Sequence, residues 1–250
     1  MNTAYKNVKR VMGIATFLMF AQNADAAIAL DRTRVIFEGG KTSTTVSISN
    51  QNKSLPYLAQ AWVEDAAGNK IESPLTAVPP LQRVESGEKG QVKIQGTSNL
   101  ASLPQDRESL YYFNVREIPP KSSKPNTLQL ALQTRVKMFY RPTSLAIKQG
   151  DLNEAQKKLT LIRSGDGYKV NNPTPYYVTI VAVSSSEKSD TVTGFQPFMV
   201  APKSESNLGI SASSVGSHPV LTFINDFGGR PQLLFNCNGN NCAVDSVKAG

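Results

Sequence analysis

The chain has 250 residues, with 27 Lys and Arg against 19 Asp and Glu, a net charge of +8, one His and two Cys. A single His leaves little from which to build acid–base or acyl-transfer catalysis, and neither a block of Lys and Arg nor an aromatic-basic motif points to nucleic acid. The surplus charge suits an acidic partner or a carboxylate ligand, and it suits equally a solvated surface of scattered lysines.

Residues 1–26 carry the three parts of a secretory signal: basic Lys6, Lys9 and Arg10, an apolar run from Val11 to Ala21, and the small-x-small site Ala24-Asp25-Ala26. A membrane anchor is the alternative, but a span needs about 20 apolar residues and this run is roughly half that. Cleavage after Ala26 leaves 224 residues and, with three cations and Asp25 removed, a charge of +6. Such a chain is expected to be exported, and it is long enough for one large or two ordinary domains.

From Ala27 onward, short alternating or β-branched segments recur between turn residues. Strands are expected near 28–37, 42–49, 57–64, 78–84, 90–95, 110–117 and 127–140, with Gly, Asn and Pro clusters between them. In the last of these, Leu128, Leu130, Leu132, Val136, Met138 and Tyr140 alternate with Gln129, Gln133, Arg135, Lys137 and Arg141, a long strand with one apolar face. After Pro142 the stretch "TSLAIKQGDLNE" loses apolar density, as a linker does. Strands resume near 159–163, 167–171, 176–183, 193–200, 219–225, 231–237 and 242–247. The expected fold is all-β, two immunoglobulin-like sandwiches over 27–145 and 146–250, with a single barrel as the structural alternative.

Signals for chemistry are sparse. His218 in "VGSHPV" has no nucleophile motif around it and reads as a loop residue, and "DFGGRP" at 226–231 lacks the helix and Lys-Ser/Thr of a phosphate loop. No enzymatic activity and no cofactor are expected. Cys237 and Cys242 flank Asn-Gly-Asn-Asn, and in an exported protein the pair most simply closes a disulfide across a tight turn, worth about 2 kcal/mol. A zinc site is the alternative, although structural zinc usually takes four Cys or His ligands.

Taken together, "LDRTRVIFEGG", "LPYLAQAWVED", "LPQDRESLYYFNVREIPP", "LALQTRVKMFYRP", "NPTPYYVTI" and "INDFGGRP" resemble the periplasmic pilus-assembly chaperones of the chaperone-usher pathway, over essentially the whole chain from Ala27 to Cys242. The resemblance implies two immunoglobulin-like domains set at an angle with a cleft between them. It implies capture of pilin subunits and the adhesin of one pilus system, and their delivery to an outer-membrane usher, without ATP or metal. The last strand of the first domain would lend Leu128, Leu130 and Leu132 to a subunit lacking its own final strand. Arg34 and Lys137 would anchor the subunit's terminal carboxylate, and Glu108, Arg141 and Asp226 would form an internal charge network fixing the domain angle. The pair Cys237 and Cys242 matches a disulfide of the resembling proteins. The short "PPKSSKPN" loop goes with chaperones of rod-forming or adhesive pili.

Two other readings compete. A pilus subunit would lack a seventh strand and carry an N-terminal donor extension, whereas seven strands are counted here and the mature start runs straight into "IALDRTR". An exported enzyme or metal-binding sandwich would need a ligand cluster that one His makes hard to build. The free edge of an apolar strand is an aggregation hazard, so self-association of the empty protein is also expected.

Overall fold

The computed structural model describes residues 26–148 and 150–250, so the expected signal segment lies outside the described residues apart from Ala26. The first half forms ten strands: β1 (Ile28–Leu30), β2 (Arg34–Glu38), β3 (Ser43–Asn50), β4 (Tyr57–Glu64), β5 (Lys70–Ile71), β6 (Leu75–Val78), β7 (Leu81–Val84), β8 (Lys89–Gly96), β9 (Ser109–Ile118) and β10 (Gln133–Arg141). One sheet runs β1-β3-β8-β6 and the other β2-β10-β9-β4-β5, with β7 also on β4. Val35, Phe37, Val46, Ile48, Ile94, Phe113 and Met138 fill the space between them. All the described helical turns are short 3-10 segments.

Three expected strands differ from what forms. The run 28–37 breaks at Asp31–Thr33 because the chain leaves one sheet, where β1 pairs with β3, and enters the other beside β10. Its apolar residues change parity across the break, from Ile28 and Leu30 to Val35 and Phe37, as a sheet switch demands. The run 78–84 divides likewise at Pro79-Pro80, with β6 on β8 and β7 on β4. The long run 127–140 yields strand only from Gln133, and residues 127–132 are coil.

The second half contributes β11 (Thr160–Ser164), β12 (Gly167–Asn172), β13 (Val178–Ser184), β14 (Phe198–Val200), β15 (Ser204–Ser211), β16 (Val220–Ile224), β17 (Gln232–Asn238) and β18 (Asn241–Lys248). They join in one sheet, β14-β13-β16-β17-β18-β11-β12-β15, whose two edge strands come back into contact around a second core of Leu161, Val170, Ile180, Phe223 and Phe235. Strand β15 is absent from the sequence expectation because "SESNLGIS" buries only Leu208, and of 193–200 only Phe198–Val200 is strand. Cys237 and Cys242 are bonded as facing residues of the β17–β18 hairpin, whose turn places Gly239 at φ 60°, a conformation open to glycine.

Candidate functional site

Strands β2 and β10 run parallel, and their register sets Lys137 directly beside Arg34. Alternation puts Val35, Phe37, Val136 and Met138 in the core, so Arg34, Lys137, Phe139 and Arg141 occupy the outer face. The second domain covers the far part of that face, where Phe139 stacks on Tyr177 at 5.4 Å.

Arg34 is only 8% exposed. Its Nη1 donates to the Ile224 carbonyl at 3.0 Å, while its buried Nε has no partner among the described residues. Burial moves the Arg34 pKa down, against the pull of Asp226 and Glu108. Lys137 reaches Thr179 Oγ1 at 3.4 Å, and burial followed by repulsion from Arg34 lowers its pKa as well. Two partly desolvated cations side by side, one with an N–H that has no partner among the described residues, are chemically suited to an anion. A planar carboxylate fits a guanidinium fork and an ammonium together.

Behind this pair, Arg141 joins the domains. Its Nε donates to Glu108 Oε1 at 2.8 Å, and its Nη1 and Nη2 donate to Asp226 at 2.6 and 3.0 Å. The other Glu108 oxygen accepts the Tyr177 N–H at 2.8 Å, and the guanidinium lies 5.2 Å from the centre of the Tyr176 ring. Burial opposes the Arg141 charge, yet the bonds to Asp226 and Glu108 outweigh it and move its pKa up. For Glu108 burial is the larger influence and pushes the carboxyl upward against the Arg141 charge and the Tyr177 N–H. The three residues expected as a network are therefore brought together, Glu108 and Arg141 from the first domain and Asp226 from the second, with the Tyr177 N–H of the second domain also on Glu108. At the rim, Asp106 bonds Lys203 at 2.6 Å, and Lys203 together with Arg107 holds its carboxyl down to about 2.

Beside the network lies a cleft of about 790 Å³, lined by Arg32, Arg34 and Ile36 of the first domain and by Lys148, Asp226 and Phe227 of the second. His218 lies apart from it, an exposed residue bonded to Ser217.

The three leucines expected to be donated are not brought into either core. Leu128, Leu130 and Leu132 are 83%, 67% and 41% exposed. Leu132 forms the last rung to β9, its carbonyl accepting the Glu117 N–H at 3.0 Å. Beyond it the ladder stops, and Gln129 turns its side chain to the Pro120 carbonyl instead. Because β2 pairs only from Lys137 onward, residues 133–136 have a neighbour on one side alone. The expected edge is thus confined to the segment before Lys137. The leucines share parity with Val136 and Met138, so extending the strand would carry the core-facing side past the end of the sheet.

Sequence reasoning missed Thr179, Tyr177 and the buried Glu117. Only Glu117 left a signal, a carboxylate at the same parity as the apolar Tyr111, Phe113 and Val115.

Residues 27–146 match the family described as "Pili and flagellar-assembly chaperone, PapD N-terminal domain", and residues 154–235 match "Pili assembly chaperone PapD, C-terminal domain". The chain belongs to this family of pilus-assembly chaperones. Relatives include the probable fimbrial chaperone YfcS of Escherichia coli strain K12, 52% identical over 91% of this chain and 89% of that one. The chaperone protein PapD of Escherichia coli is 46% identical over 96% of this chain and 99% of its own length. Among solved structures, the Salmonella enterica SafB chaperone in complex with SafA pilin has a TM-score of 0.67 at 27% identity, covering 84% of this chain and 95% of the solved one. The structural-subunit reading loses its footing in that company.

Proposed function

We propose that this chaperone works in the periplasm, where it binds pilin subunits and the adhesin of one pilus system, stabilises them by strand donation and passes them to an outer-membrane usher. The first domain, 27–145, holds the subunit, and the second, 146–250, closes the cleft. Leu128, Leu130 and Leu132 enter the subunit's open groove, while Arg34 and Lys137 take its C-terminal carboxylate. That anchor sets the register of pairing, because a slip of one residue would turn every leucine away from the groove.

The observation that carries this reading is the adjacency of the two cations to the open strand. Lys137 lies on β10 itself, five residues after Leu132, so one ligand strand lying along β10 meets both the charge and the leucines. The pilin complex of the SafB relative supports the choice of partner.

Co-expression in the periplasm with a pilin subunit from the same gene neighbourhood tests it. Wild type is expected to co-purify with the subunit, and Arg34→Ala and Lys137→Ala, checked for folding by circular dichroism, are expected to lose it. Folded variants that capture the subunit as well as wild type would overturn the anchor. Failure of wild type with every subunit of the system would overturn the chaperone reading.

A further inference from the structure

Glu117 is a carboxylate in the wrong place. It occupies the core-facing parity of β9 after Tyr111, Phe113 and Val115 and is 5% exposed. Ion pairs among the described residues do not include it. A buried carboxylate without a countercharge is costly, so something must stand opposite it.

Its recorded contacts are two backbone N–H groups. The Ile28 N–H donates to Oε2 at 3.0 Å, and the Leu132 N–H approaches Oε1 at 3.5 Å. The first belongs to the opening strand of the chain, and the second to the root of the leucine segment. One carboxylate thus spans the two.

Ile28 is the second residue after the expected cleavage site. Ala27 is itself buried, and its carbonyl accepts the Gln51 N–H at 2.6 Å, so the chain is pinned at this point. An extended chain advances about 3.3–3.6 Å per residue, which puts the Ala27 nitrogen within about 6.6 Å of Glu117 Oε2, near the distance at which an opposite charge favours an ionised carboxylate. Before processing, that nitrogen is a neutral amide with Asp25, a like charge, two positions upstream.

We propose that Glu117 is the receptor for the processed amino terminus and that signal removal completes the donor-strand root. A signal peptidase hydrolyses the Ala26–Ala27 bond. Water adds its oxygen and one hydrogen to the Ala26 carbonyl carbon as the C–N bond breaks and its other proton to the Ala27 nitrogen, and at neutral pH the new carboxylic acid gives up its proton to the amine, leaving a carboxylate on the signal segment and an ammonium on Ala27. The new cation settles beside Glu117, and the carboxylate, held there, keeps its grip on Leu132. The precursor lacks the cation and holds the segment more loosely, so full capacity to donate the strand arrives only after export. The last step rests on the proposed function, but the pairing of terminus and carboxylate does not.

The test needs no subunit. The oxidised chain beginning at Ala27 is prepared with a free amino terminus and with that nitrogen enzymatically acetylated, each in wild type and in Glu117→Gln. Thermal midpoints and hydrogen exchange at Ile28 and Leu132 are measured. In wild type, acetylation is expected to lower the midpoint by about 4 °C or more and to speed exchange at Leu132 about tenfold, as follows from removing the opposite charge beside a buried carboxylate. In Glu117→Gln it is expected to do neither. Equal effects in both backgrounds, or none in wild type, overturn the proposal. Should Glu117→Gln not fold, the wild-type pair decides: unchanged exchange at Leu132 on acetylation overturns it. Failure here with normal subunit capture removes only the processing switch, whereas failed capture with the expected exchange removes only the chaperone mechanism.

Discussion

Replacing Leu130 with Ala separates a residue that serves a partner from one that serves its own fold. The side chain is 67% exposed in the free protein and packs in neither core. Truncation should therefore leave the stability of the free chaperone within about 0.5 kcal/mol of wild type. In the complex the same three carbons are covered, at about 0.8 kcal/mol each, and about two-thirds of that burial is new, so binding should weaken by about 1.6 kcal/mol, roughly fifteenfold. The dissociation constant for a pilin subunit of the same system, measured with the thermal midpoint of the free variant, reads both quantities. A lowered midpoint with unchanged affinity would refute the reasoning, since the leucine would then be filling the chaperone's own core in solution.

Lys137, Arg141 and the disulfide supply further tests. Lys137→Met removes a like charge beside Arg34 and should stabilise the free protein by about 0.2–1 kcal/mol in urea unfolding while weakening subunit capture. In wild type the Lys137 pKa lies below its ordinary value of 10.5, so its proton favours the unfolded chain and stability rises with pH in the window between the depressed value and 10.5. An NMR titration should show that pKa moving back up when a carboxylate-terminated subunit peptide binds. Arg141→Ala strands Glu108 and Asp226 without their cation and should cost about 3–5 kcal/mol in chemical denaturation, with looser domain orientation visible by small-angle scattering. Reducing the Cys237–Cys242 bond should cost about 2 kcal/mol in the second domain and leave the affinity of the first for subunits unchanged.

Period-two alternation made most strands legible, but the expected single strands 28–37 and 78–84 each hide a sheet switch. The move from Ile28 and Leu30 to Val35 and Phe37, and from Leu75 and Ala77 to Val84, is the parity change that accompanies those two switches. Strand β15 was invisible because a strand that buries one Leu in eight residues leaves no period to read. The leucine segment misled in the opposite direction. Its alternation is that of a strand, yet residues 127–132 are coil, and on the proposed function the strand that would complete it comes from another molecule. Arg34, Lys137, Glu108, Arg141 and Asp226 came from the motifs they sit in, because nothing in local sequence pairs residues as distant as Arg141 and Asp226. Thr179, Tyr177 and the Ile224 carbonyl were missed for that reason too: they matter through where the second domain packs against the first.

Strand donation is tested most directly by hydrogen exchange of the backbone amides from Leu128 to Val136 in the free chaperone and in its complex with a pilin subunit. Free, these amides should exchange readily outside the rungs to β9. In the complex the account expects strong new protection along the segment, with Leu128, Leu130 and Leu132 buried. Protection appearing elsewhere while this segment remains open would contradict the claim that it completes the subunit's fold.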